Sequence, residues 1–143
     1  MNILDISILI FIILETLNVI VLYFFPTSKL GNGVAVFNYY SKSKDNEDAH
    51  LFVKYMTNWV AGVKLIFIVL LIVILLLGDN TLKLWSSFVV ILSITSYFFR
   101  LQPLITKLDN HNQITPKGYS KTLLMMITGF IIMFSISIII YLI

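Results

Sequence analysis

Two residues of opposite charge stand inside apolar runs: Glu15 in ILETLNVIVLYFFP (Ile13 to Pro26) and Lys64 in VAGVKLIFIV (Val60 to Val69). A charge at the middle of a bilayer costs roughly 2.5 to 3.5 kcal/mol on insertion scales, so such groups face other protein or a wet cavity. Glu15 lies ten residues before Phe25, a depth of about 15 Å at 1.5 Å per residue. Lys64 lies nine residues beyond Tyr55, at about 13 Å. The two charges therefore sit at matched depth on consecutive antiparallel segments. Lys64 is also too deep for its stem alone to carry the ammonium to the interface.

Helical spacing extends this pair into a seam. Asn18 shares the face of Glu15 at a step of three, and His50, Lys54, Thr57, Ala61 and Lys64 follow alternating steps of four and three, with Asn58 beside them. Ser86, Ser93 and Arg100 recur at steps of seven, and Lys121, Met125, Thr128 and Ser135 form a fourth stripe. The candidate ligand- or proton-binding set is Glu15, Asn18, Asn58, Lys64 and Arg100. A purely structural account competes: small and hydroxyl residues pack membrane helices, Arg100 and Lys54 lie close enough to the boundary to snorkel, and Glu15 with Lys64 suffices as a neutralising pair.

A second chemistry would use the triplets Asp48-Ala49-His50 and Asp109-Asn110-His111 as metal or acid–base residues at the interface. Asp45, Glu47 and Asp48 also have the positions of first-turn acids and a capping box at a helix start. Gly31, Asn32 and Gly33 read as a turn, because no lysine or helix start follows as a phosphate loop requires. No Gly-x-Ser-x-Gly elbow, His-Glu-x-x-His pair or kinase signature is present. Zero cysteines exclude disulfides, thiolate metal sites and cysteine nucleophiles, and no cofactor is expected.

The elements that must position these residues follow from composition. The 143-residue chain is 59% hydrophobic and 12% charged, whereas soluble domains run at roughly 45 to 50% and 25%. Four apolar runs, at about 3–25, 52–77, 82–102 and 120–143, are each long enough to cross about 30 Å of hydrocarbon as a helix. The first has no basic leader, carries Asp5 and ends in FFP, so it reads as a retained span and not a signal peptide. The expected fold is an all-α integral membrane four-helix bundle, one domain over 1–143, with loops at 26–51 and 103–119. Gly78 to Thr81 make a tight turn that forces the second and third spans to be antiparallel neighbours. The echo of YFF at Tyr23 and Tyr97, each followed by proline and later by Tyr-Ser-Lys, reads as coincidence.

Orientation follows from basic residues. Lys29, Lys42, Lys44, Lys54, Arg100, Lys107, Lys117 and Lys121 flank or occupy the two longer loops, and Lys83 alone lies on the side of the termini. This bias places the loops in the cytoplasm and both termini outside, in the cell membrane. The same basic face predicts attraction to anionic lipid headgroups. The formal charge of +3 is explained by this clustering and calls for no nucleic-acid partner.

In size, span number and a single glutamate in the first span, the chain resembles the small multidrug exporters. The resemblance implies that Glu15 exchanges protons for cationic substrates. The chain departs from that pattern in the long segment Thr27 to Ala49, in Lys64, which competes for a cation's place beside Glu15, and in the lack of a glycine-spaced face on the fourth span. Membrane glutathione and eicosanoid enzymes also have four spans, but their arginine-rich signature is absent. The leading expectation is a non-enzymatic module that binds a small polar or anionic group or couples protons through the seam, as a homo-oligomer or complex subunit. The alternatives are an enzyme acting on a lipid or other hydrophobic substrate, and an accessory subunit whose stripes recognise partner helices.

Overall fold

The computed structural model describes residues 1–29 and 32–143, and among them it is all helical, without a strand. The order is α1 (Ile3–Phe24), a 3-10 turn (Val34–Val36), α2 (Asn38–Ser43), α3 (Glu47–Leu77), α4 (Asn80–Asn110) and α5 (Tyr119–Leu142). Four of these, α1, α3, α4 and α5, are long and apolar enough to cross a membrane. Their surfaces match such a solvent: Leu76, Leu92, Phe99 and Met125 are 73%, 77%, 77% and 74% exposed. A water-soluble domain seldom presents continuous apolar surface of this kind.

Local signals set the helix ends. Asn2 and Asp5 form a reciprocal capping box, Asn2 accepting from the Asp5 amide at 3.0 Å and Asp5 from the Asn2 amide at 2.8 Å. Asn46 accepts from the Ala49 amide at 3.0 Å, so the start of α3 is capped by an amide, with Glu47 and Asp48 as first-turn acids. Only Gly78 and Asp79 separate α3 from α4. A Cβ at Gly78 would lie 2.5 Å from the Ile74 carbonyl oxygen, and Asp79 caps α4 through the Leu82 amide at 2.8 Å. The expected tight turn is thus present.

Two regions differ from the sequence expectation. Helix α3 begins five residues before the expected span, and α4 runs through Pro103 to Asn110, where a loop was expected. Each has 31 residues, about 46 Å at 1.5 Å per residue, against roughly 30 Å of hydrocarbon. Both therefore extend past the apolar segment on the loop side. Pro103 removes one helix hydrogen bond, but it lies on an exposed face, where the freed carbonyl of Phe99 can be solvated. The 26–51 connection also folds, into the 3-10 turn and α2. Gly31 of the expected turn lies outside the described residues.

α1 packs along α3 and α5, and α4 along α5, whereas α3 and α4 touch little despite their short link. The main core gathers Ile8, Phe11, Ile12, Val19, Ile68, Leu71, Val90 and Phe134. Phe11 anchors it, edge-on to Phe67, Phe130 and Phe134 at centroid distances of 6.0, 4.9 and 5.5 Å. A second cluster at the loop end joins Val36, Tyr97, Ile105, Ile114, Tyr119 and Leu123.

The two connections on that side are zipped together. Asn38 donates its amide to the Gln113 carbonyl at 2.9 Å, and Thr115 donates its amide to that of Val36 at 2.8 Å. Their side chains meet at 2.8 Å between Thr115 Oγ1 and Asn38 Oδ1. Beneath them buried Asp109 accepts from the Gly118 amide (2.9 Å), the Ser120 amide (3.1 Å) and the Ser120 hydroxyl (2.6 Å). Gly118 has φ +86°, which favours glycine, and delivers its amide to that carboxylate at the head of α5. The Ser120 hydroxyl, then the Gly118 amide, hold the Asp109 carboxyl below the usual range, outweighing the opposing effect of burial.

Replacing Asp109 by Ala leaves these donors unmatched, and about 1 to 3 kcal/mol of stability should be lost. Because the carboxyl pKa is depressed, this contribution is complete above the unfolded value of about 3.9 and disappears as pH falls through the lower folded value. Thermal melts of the detergent-solubilised protein should show the deficit of Asp109→Ala at pH 7. An equal melting temperature would show that the clamp contributes nothing.

Candidate functional site

Lys64 extends from α3 to α1, where its Nζ donates to Glu15 Oε2 at 2.6 Å and to Asn18 Oδ1 at 2.7 Å. Glu15 and Asn18 are three residues apart on α1, so one helical face presents both acceptors to one ammonium. The close packing of α1 on α3 depends on small and medium residues at the seam, Ala61 being fully buried one turn from Lys64. The cluster is incompletely satisfied. An ammonium has three donors, of which Lys64 uses two, and among the described residues the buried Asn18 Nδ2 has no hydrogen-bond partner. The side chains of Lys64 and Glu15 retain 25% and 18% exposure.

The remaining exposure of Lys64 opens onto a cavity of about 650 Å3 between the splayed helices α3 and α4. Its α4 wall runs from Ser93 through Tyr97, Leu101 and Leu104 to Leu108, about 22 Å along the helix axis. Met56, Thr57 and Val60 form the α3 wall, Leu123 and Ile127 of α5 the floor, and Asn32, Val34 and Phe37 the loop-side end. The surface is mainly apolar, with Lys64, Asn32, Thr57, Ser93, Ser96 and Tyr97 as its polar residues. Of these, Thr57 and Ser96 already donate to main-chain carbonyls, and Tyr97 donates to Gln102.

Of the five expected seam residues, Glu15, Asn18 and Lys64 meet. Asn58 is exposed on α3 beside a smaller cavity, and Arg100 is exposed on α4 without an ion pair among the described residues. The stripes also need correction. On α3 the expected face is found in part: Thr57 and Ala61 are buried and His50 and Lys64 half-buried, but Lys54 is exposed. On α4 the buried face is Ser87, Val90, Tyr97 and Ile105; exposed Ser93 lines the cavity, and Arg100 is exposed outside its lining. On α5 it is Ser120, Leu123, Phe134, Ser137 and Ile138, and Lys121 and Met125 are exposed. The buried hydroxyls satisfy themselves: Ser87 donates to the Lys83 carbonyl and Ser137 to that of Met133, both at 2.9 Å. Serine spacing alone does not reveal which stripe does this.

The alternative metal set does not assemble. Asp109 is spent on α5, Asp48 and His111 are exposed, and His50 contacts Ser43 Oγ through Nδ1 at 3.0 Å. Among the described residues, no three His, Cys, Asp or Glu side chains gather as a metal site.

A second ion pair escaped the sequence reading. Asp5 of α1 meets Lys83 of α4 at 2.8 Å on the side of the termini, with side-chain exposures of 10% and 12%. Asn2 Nδ2 donates to Asn80 Oδ1 at 2.8 Å beside it. The matched-depth argument that found Glu15 and Lys64 applies equally here: both residues stand at the same boundary, one acid and the sole base on that side.

Compared with protein-family models, curated proteins and solved structures, the chain matches none.

Removing one partner from a buried pair costs about 3 to 5 kcal/mol by stranding the other, and exposure lowers the figure. Lys64→Ala should therefore sit near or below 3 kcal/mol and Lys83→Ala near the upper end of that range. Double-mutant cycles in detergent should give a larger coupling for Asp5–Lys83 than for Glu15–Lys64. The reverse order would mean that the α1–α3 pair is the main structural staple.

Proposed function

We propose that the protein is a non-enzymatic, multi-pass cell-membrane module whose Glu15–Asn18–Lys64 cluster binds a small polar or anionic group presented in the α3–α4 cavity. One observation carries this reading: the same ammonium that closes the α1–α3 pair also lines a 650 Å3 cavity, with one donor left over. An intramembrane ion pair kept only for neutrality needs no cavity at its side. A ligand carbonyl, carboxylate or other acceptor would take that donor. A cationic substrate fits poorly, because Lys64 already occupies the field of Glu15. Proton coupling is the variant of this reading in which Glu15 takes up a proton as Lys64 turns to the ligand.

Orientation belongs to the same proposal: loops in the cytoplasm, termini outside, and the basic loop side against anionic lipids. Arg100, exposed on α4 within an apolar surface, favours a second copy or a partner helix on that face, where a charge would gain cover. Of the four residues of the enzyme alternative, Asp109 and His50 bond within the fold, and Asp48 and His111 are exposed.

Small molecules released from purified protein and identified by mass spectrometry provide the test. A species bound to the wild type should vanish in the charge swap Glu15→Lys with Lys64→Glu, although the swapped protein keeps most of its melting temperature. The same ligand bound equally by the swapped protein would reduce the pair to a staple. For orientation, a reporter after Ile143 should read outside and a tag near Lys42 should read cytoplasm; a cytoplasmic C-terminus would reverse the topology.

A further inference from the structure

The groove between α3 and α4 has a polar end and an apolar end. Lys64 and Ser93 stand at equal distance from the turn that joins the two helices, each fourteen residues away, Lys64 before Gly78 and Ser93 after Asp79. At 1.5 Å per residue that is about 21 Å along either helix. Both line the groove, on opposite walls, and they mark its deep end. The hydroxyl of Ser93 makes no hydrogen bond among the described residues; only its carbonyl is used, by Ser96 Oγ at 2.7 Å. Lys64 keeps one N–H beyond those given to Glu15 and Asn18. Two unspent donors therefore stand at the deep end. At the loop-side end Val34, Phe37, Ile105 and Leu108 make the lining apolar, and Asn32 there already accepts from the Tyr119 hydroxyl at 3.3 Å.

This order of polarity selects the occupant. A phospholipid keeps its head in the interfacial layer and its tails in the hydrocarbon, the reverse of this groove, and a small soluble metabolite leaves the apolar walls uncovered. Charge balance narrows the choice further. The Lys64 ammonium is matched by the Glu15 carboxylate at 2.6 Å, and among the described residues no other charged side chain lines the groove. An anion would leave the deep end with a net negative charge away from water, which is costly within a span, and a cation would face the ammonium. A neutral acceptor keeps the balance, and a carbonyl oxygen has two lone pairs with which to take both donors. The volume of about 650 Å3 lies within the roughly 300 to 1,000 Å3 of small-molecule pockets, which likewise combine apolar walls with a few polar groups. We infer that the groove takes an uncharged lipophilic carbonyl compound, its carbonyl oxygen held between Lys64 and Ser93 and its apolar body laid toward Phe37 and Leu108. This rests on the reading above that Lys64 presents a donor to the cavity, and it narrows the occupant from any acceptor to an uncharged one on a long apolar body.

Three probes with one chain separate the possibilities: methyl pentadecyl ketone, pentadecyl sulfonate and pentadecane. Full-length protein in a maltoside detergent would be titrated with each at equal mole fraction in the micelles, and bound probe counted by native mass spectrometry. Wild type should bind the ketone roughly tenfold more tightly than the alkane, as expected for a charge-assisted hydrogen bond, and the sulfonate no better than the alkane. Ser93→Ala should lower ketone affinity roughly threefold and leave alkane binding unchanged. Ser93 is exposed and its hydroxyl is unbonded, so this variant should melt as wild type. The charge swap Glu15→Lys with Lys64→Glu should abolish the ketone preference, because a carboxylate then replaces the donor. Ketone and alkane bound equally by wild type would overturn the inference in favour of an unselective acyl-chain groove, and a ketone preference untouched by Ser93→Ala would overturn the placement of the carbonyl. A sulfonate bound more tightly than the ketone, and lost in the charge swap, would overturn the uncharged occupant while the reading of Lys64 as an anion site stands. A ketone preference that survives the charge swap would overturn both.

Discussion

Placing a charged group in an apolar interior is the constraint from which the rest of this structure follows. The chain has two places where a base stands within a long apolar helix and meets an acid, and each joins α1 to another helix: Glu15 to Lys64 of α3, and Asp5 to Lys83 of α4. Lipid-like surroundings supply no hydrophobic drive for helix association, so van der Waals packing around Phe11 and these polar bridges carry it. α1 is the common partner in both pairs. That explains why it is the best buried of the four long helices.

Where such bridges are missing the helices part. α3 and α4 are joined by two residues and begin side by side, yet no ion pair or hydrogen bond between them is seen further along among the described residues, and they diverge toward the loop side. The loop zipper of Asn38, Gln113 and Thr115 closes that end from outside, while Asp109 fixes the start of α5 beneath it. The resulting groove is a consequence of unequal cohesion: α1–α3 and α4–α5 are tight, and the space lies between the two pairs. Lys64 sits on the seam of one pair and at the edge of that space, so one residue joins the packing of α1 on α3 to the cavity wall.

The number of long helices, their extents to within a few residues at most ends, and the Glu15–Lys64 contact were legible in the sequence, because hydropathy and depth are one-dimensional properties. Rotational facing was less so. The apolar exteriors of α4 and α5 resemble their interiors in composition, and serine occurs on both, so the choice between Ser86–Ser93 and Ser87–Val90 depended on packing against α5 and α1. Asn58 and Arg100 matched the seam in depth but not in azimuth. The continuation of α4 beyond Pro103 was hidden by the usual reading of proline as a stop, which does not hold where the lost bond faces the exterior. The bonds of Asp109 were illegible for a different reason: its partners, Gly118 and Ser120, lie across a turn in which Gly118 adopts φ +86°.

The claim that Lys64 is held inside the protein and does not reach the boundary is tested most directly by solid-state NMR of the protein in bilayers. With 15N-labelled lysine and 13C-labelled glutamate, the account predicts a through-space correlation between Lys64 Nζ and the Glu15 carboxylate. It should disappear in Lys64→Gln, and Lys64 should show no contact with lipid phosphorus. A Lys64 Nζ signal correlated with lipid 31P, and none with Glu15, would show a snorkelling lysine and contradict the account.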